Sequence, residues 1–88
     1  MAEQVIRVSN RAGIHARPAA VLVQAAKDFA SNIYFEKGED RINAKSIMGV
    51  LTLAAAYRTE IKIIAEGEDE ELAVQAIARL FDSKFEEE

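Results

Sequence analysis

In this chain of 88 residues the apolar positions switch repeatedly between a period of two and a period near 3.6, and that switching leaves few folds open. Gln4 to Val8 reads as a strand, with Ile6 and Val8 on one face and Arg7 on the other. Asn10-Arg11-Ala12-Gly13 breaks it, and Gly13 suits a tight turn. From Ala16 to Phe29 the spacing becomes helical. Ala19, Leu22, Val23, Ala26 and Phe29 form an apolar stripe, Gln24, Lys27 and Asp28 face away, and Pro18 falls in the first turn, where a missing N–H costs nothing. Asn32 to Lys37 is a second strand with Ile33 and Phe35 inward; Gly38-Glu39-Asp40 turns it into a short third strand, Arg41 to Ala44, with Ile42 as its core residue.

Ser46 then precedes Ile47-Met48-Gly49-Val50-Leu51-Thr52-Leu53, spaced for a short helix in spite of Gly49. Ala54-Ala55-Ala56 continues to favour helix, so the pattern does not mark where that helix stops. Glu60 to Glu66 is the cleanest strand, with Ile61, Ile63 and Ala65 on one face and Lys62, Ile64 and Glu66 on the other. Gly67 ends it, and Glu68 to Glu71 place negative charge on the first turn of a last helix, where the helix dipole favours it. Leu72, Ala73, Ala76, Ile77, Leu80 and Phe81 are expected to face the core, Phe85 to extend the stripe, and Glu86 to Glu88 to fray. The order β-α-β-β-α-β-α, with one apolar face per element, predicts a single α+β domain over residues 1–88. It is an open-faced sandwich in which helices cover one side of the sheet.

Composition removes most chemistries. With no Cys there is no thiol nucleophile or thiolate metal site, and a single His excludes a His-cluster metal site. The first residues lack the basic and apolar regions of a signal peptide and no apolar run approaches ~18 residues, so a cytoplasmic protein without membrane insertion is expected. A net charge of −4 argues against direct nucleic-acid binding. The charge is uneven, however. Residues 1–65 hold nine basic and six acidic side chains, whereas residues 66–88 hold nine acids against Arg79 and Lys84. The front of the molecule is therefore suited to an anionic ligand or an acidic partner surface.

The segment that could carry chemistry lies there. In Gly13-Ile14-His15-Ala16-Arg17-Pro18, His15 stands where turn becomes helix, so the first N–H groups of that helix point toward whatever the imidazole carries. The positive end of the dipole favours a neutral, nucleophilic imidazole. Arg17, in the first turn, adds a planar guanidinium suited to phosphate oxygens. Together these make a phosphoryl-acceptor site. With no Walker loop, metal site or second general base, and no cofactor, the phosphoryl group must be brought and removed by partners, so the protein is not itself an enzyme.

Gly13-Ile14-His15-Ala16-Arg17-Pro18-Ala19, followed some thirty residues on by Lys45-Ser46-Ile47-Met48-Gly49-Val50, closely resembles the HPr family, the histidine-containing phosphocarriers of the bacterial phosphoenolpyruvate-dependent sugar phosphotransferase system. The resemblance spans essentially the whole chain and implies a four-stranded antiparallel sheet covered on one face by three helices. It implies that His15 accepts a phosphoryl group on Nδ1 from phosphorylated enzyme I and passes it to IIA domains of sugar permeases, with Arg17 stabilising the group in flight. It also implies a regulatory role for Ser46, as the target of an HPr kinase/phosphorylase whose product acts with a catabolite-control transcription regulator. By residue type alone, Ser46 is equally an N-cap. Ile47, Met48 and Leu51, with Ala16 and Ala20, make a candidate docking surface ringed by Arg17 and Lys45. A monomer that shows one face to successive partners is expected. Many relatives have Gly near Ala54 and in the turn that here reads Arg58-Thr59, which puts the end of the second helix and that turn's geometry in question.

Overall fold

The computed structural model describes residues 1–53 and 55–86, with the backbone alone at Glu86. Its elements run β1 (Ala2–Arg7), α1 (Ala16–Lys27), β2 (Asn32–Lys37), β3 (Asp40–Asn43), α2 (Ile47–Thr52), β4 (Glu60–Glu66) and α3 (Glu70–Asp82), closed by a short turn at Lys84–Glu86. The four strands form one antiparallel sheet in the order β1-β4-β2-β3. The expected α+β open-faced sandwich and its element order are therefore the observed ones.

The two central strands carry the apolar load. Ile61, Ile63 and Ala65 of β4 pair with Ile6, Gln4 and Ala2 of β1 on one side, and Ile63 and Ala65 pair with Phe35 and Ile33 of β2 on the other. The inward residues meet Leu22, Val23 and Ala26 of α1 and Ala73, Ile77 and Phe81 of α3 in one core. Phe81 is its hinge of packing, edge-on to Phe35 with centroids 5.9 Å apart and edge-on to Phe85 at 5.2 Å. Burying each such side chain contributes about 2 kcal/mol. The short helix α2 packs against α1 and β3. No helix among the described residues is long and apolar enough to cross a membrane.

Two expectations about side chains need correcting. Leu72 does not face the core: it is 64% exposed, and Val74 takes the buried place instead. The register of α3 is set by its N-cap Asp69, whose carboxylate is drawn toward the backbone N–H groups of Ala30 (2.9 Å) and Ser31 (3.0 Å), and this turns position 72 outward. Ile64 lies on the sheet face away from the helices, as the alternation indicates, and is only 4% exposed between its cross-strand neighbours Tyr34 and Glu3. Ile42 is half-buried at the rim of the core, on an edge strand. The helix-favouring run at 54–56 does not continue α2. Leu53 is its C-cap, the Lys37 ammonium donates to the Leu53 carbonyl at 2.9 Å, and Ala55 and Ala56 are loop. Ala54 and residues 87–88, where fraying was expected, lie outside the described residues.

Candidate functional site

The segment between β1 and α1 is held from beneath. Val8 is buried and exchanges backbone hydrogen bonds with the 58–59 turn, its N–H donating to the Thr59 carbonyl (2.9 Å) and its carbonyl accepting from the Arg58 N–H (2.8 Å). Asn10 is fully buried; its side-chain amide donates to the Gly13 carbonyl at 2.6 Å, and the Gly13 N–H donates back to the Asn10 carbonyl at 3.1 Å. This closed turn requires a left-handed residue at its end, and Gly13 supplies it with φ 73°. A Cβ at Gly13 would stand 2.8 Å from the Ala55 carbonyl oxygen. That same oxygen accepts the Ile14 N–H at 2.8 Å, and the Ile14 side chain is buried. The loop leaving α2 thus fixes the residue just before His15.

His15 is the N-cap of α1, in extended conformation (φ −91°, ψ −166°). Its carbonyl accepts the Ala19 N–H at 3.0 Å, but its imidazole makes no capping hydrogen bond. The side chain is exposed. The amides of Ala16 and Arg17, in the opening turn, have no intrahelical acceptor by helix geometry, and no acid lies in that turn to compete for them. Arg17 is exposed beside them, while Pro18 and Ala19 anchor the turn in the core. An exposed imidazole, two outward amides, a dipole end and a guanidinium share one helix terminus, which can accept and stabilise a doubly charged phosphoryl group.

Ser46 caps the second helix that borders this surface. Its Oγ accepts the Gly49 N–H at 3.1 Å and its carbonyl accepts the Val50 N–H at 3.0 Å. Ahead of it, the Asn43 side chain accepts the Lys45 N–H at 2.8 Å. Behind Ser46 the helix divides cleanly: Val50 and Leu53 are buried, whereas Ile47 (39%), Met48 (67%) and Leu51 (36%) are exposed. Ala16 and Ala20, one turn apart on α1, are exposed as well. Because α1 and α2 pack together, these residues belong to neighbouring elements at one side of the molecule. Lys45 does not ring that patch as expected. Its ammonium is turned onto the Phe29 carbonyl at 2.8 Å, where it ties down the chain just past the end of α1.

A family model described as "PTS HPr component phosphorylation site" matches residues 2–83 of this chain. The chain belongs to the HPr family. It is similar to the phosphocarrier protein HPr of Treponema pallidum (strain Nichols), at 53% identity over 88 residues and all of both chains. It is also similar to the HPr-like protein Crh of Bacillus subtilis (strain 168), at 45% identity over 78 residues, covering 89% of this chain and 92% of Crh. Among solved structures, that of HPr-C-His from Thermoanaerobacter tengcongensis superposes with a TM-score of 0.96 at 48% identity, covering 100% of this chain and 99% of the other. HPr proteins are phosphocarriers rather than catalysts, and the Crh likeness connects the chain to relatives named for catabolite repression. Sequence reasoning passed over two residues that shape the site. Asn10 could have been suspected from the Asn-to-Gly spacing of its turn; Ala55 acts through its backbone carbonyl, and nothing in an Ala side chain signals that.

Proposed function

We propose that this protein is a cytoplasmic, monomeric phosphocarrier of a sugar phosphotransferase system, with His15 as phosphoryl acceptor. The observation that carries this reading is that His15 stands exposed as the N-cap of α1, beside the Ala16 and Arg17 amides that helix geometry leaves without intrahelical acceptors and the Arg17 guanidinium. In the first transfer, the Nδ1 lone pair of His15 attacks the phosphorus held on enzyme I. The N–P bond to His15 forms as the bond to enzyme I breaks, and the electron pair returns to enzyme I. The helix end and Arg17 offset the charge on the equatorial oxygens. The second transfer reverses these roles toward a IIA domain. Ala16, Ala20, Ile47, Met48 and Leu51 form the docking surface, and Met48 gives it a side chain that adapts to more than one partner.

Ser46 is the regulatory site in this proposal, acted on by an HPr kinase/phosphorylase and recognised afterwards by a catabolite-control transcription regulator. Its position supports this: a phosphate on Oγ would remain on the α2 N-terminus that Oγ already caps, and would add about −1.5 to −2 charges beside the docking surface. The similarity to Crh favours this second role, while the presence of His15 favours the carrier role. The experiment is transfer of label from phosphoenolpyruvate through enzyme I and this protein to a IIA domain. Arg17→Ala is expected to slow both steps by roughly tenfold or more with the fold intact. Unchanged transfer in that variant would remove Arg17 from the site.

A further inference from the structure

A second basic cleft, separate from the His15 site, lies where the turn at 57–58 meets the residues just after α3. About 260 Å³ in volume, it is lined by Arg7, Val8, Ser9, Tyr57, Arg58 and Lys84. Among the described residues that line it, three are cationic. Its walls are well built. Arg58 donates its N–H to the Val8 carbonyl, and Ser9 Oγ donates to the Phe81 carbonyl at 2.8 Å, fastening the start of the β1–α1 loop to the end of α3. Arg7 Nη2 pairs with Glu60 at 3.4 Å and its Nη1 reaches the Arg58 carbonyl at 3.4 Å. The Arg58 guanidinium lies over the half-exposed ring of Tyr57, 5.2 Å from its centroid.

The backbone supplies the decisive observation. Among the described residues, only Arg58 (φ 72°), Lys84 (φ 57°) and Phe85 (φ 56°) are left-handed without being glycine. Phe85 has a packing reason, since the fold-back sets its ring against Phe81. Arg58 and Lys84 sit at positions where glycine is the ordinary solution. One is in a tight turn whose Thr59 N–H returns to the Ala56 carbonyl at 3.0 Å; the other follows the C-cap Ser83 of α3. An L-residue there carries strain that glycine would not. Both carry cations, and both cations line the same cleft. Two strained positions thus converge on one concavity, the kind of place where proteins keep strain for function.

We propose that this cleft binds the dianionic phosphate of a small phosphate monoester, with Arg58 and Lys84 as the charged ligands and the Tyr57 ring packing on the body of the molecule. The test is amide-resolved NMR of the full chain at fixed ionic strength, titrated with inorganic phosphate and separately with glycerol phosphate. The expected result is saturable shifts at Val8, Ser9, Tyr57, Arg58 and Lys84, tighter for the monoester, retained in His15→Ala and weakened about tenfold in Arg58→Gly. Arg58→Gly removes the guanidinium while easing the backbone, so the fold is kept; Lys84→Gly does the same from the other wall. Shifts confined to Ala16 and Arg17, shifts unchanged in both glycine variants, or a monoester that binds no tighter than inorganic phosphate would each overturn the proposal.

Discussion

Gly13 stands at the point where backbone geometry decides whether His15 is presented at all. Its φ is left-handed and its missing Cβ makes room for the Ala55 carbonyl that also holds Ile14. Gly38 is left-handed too, at 60°, but nothing lies within 4 Å of the place its Cβ would take. The pair separates strain from collision. Gly38→Ala should cost about 1 kcal/mol, for conformation alone, and Gly13→Ala about 3 kcal/mol, for conformation plus overpacking, as read from urea denaturation. Arg58→Gly should raise stability by about 0.5 kcal/mol, because relief of the left-handed strain exceeds the added freedom of the unfolded chain. Residue chemistry singled out His15, Arg17 and Ser46 as candidates in the sequence, since imidazole, guanidinium and hydroxyl each suggest what they can do, and the structure places all three at helix N-termini. Leu72 and Lys45 were not legible, because side-chain type says nothing about which way a helix turns or which carbonyl an ammonium will reach.

Elements were legible where a period ran uninterrupted. β2 and β4 begin and end at the residues their alternation indicates, and α1 starts at Ala16, after the His15 cap. α2 was harder, because a helix of six residues holds too few turns to show a period and because its end is set by tertiary contacts. The Ile14 N–H claims the Ala55 carbonyl, so that loop cannot also serve a helix. A helix this short leans on its cap. Ser46→Ala should lower stability by about 1 kcal/mol through loss of the Oγ acceptor for Gly49. Ser46→Asp retains a capping carboxylate and should leave stability nearly unchanged, while adding negative charge beside the proposed docking surface and, on the proposed function, slowing phosphorylation of His15 by enzyme I. A Ser46→Asp variant that is stable and phosphorylated at the parent rate would separate the cap from any regulation.

At the scale of the molecule, the segment between α1 and β2 is stapled to α3 by Asp69. Its carboxylate accepts from the Ser31 hydroxyl and from the backbone N–H groups of Ala30 and Ser31, and these bonds hold its pKa below the usual 3.8. A depressed carboxyl pKa adds stability that is fully present above the unfolded value and is lost as pH falls through the folded one. Asp69→Asn should therefore be less stable than the parent at neutral pH, and the difference should shrink as denaturation is followed to pH values below 3.8. Glu70 and the terminal amine, 2.8 Å apart, act in opposite directions: the carboxyl is lowered and the amine is raised above 8.0. Their mutual contribution is lost at both ends of the pH range, in acid as Glu70 protonates and in alkali as the amine deprotonates. The most direct test of the whole account is to phosphorylate the protein with phosphoenolpyruvate and enzyme I and to locate the phosphate by NMR. One acid-labile phosphoryl group on Nδ1 of His15, absent in His15→Ala, is the predicted result. A folded parent that takes up no phosphate, or takes it up at another residue, would contradict it.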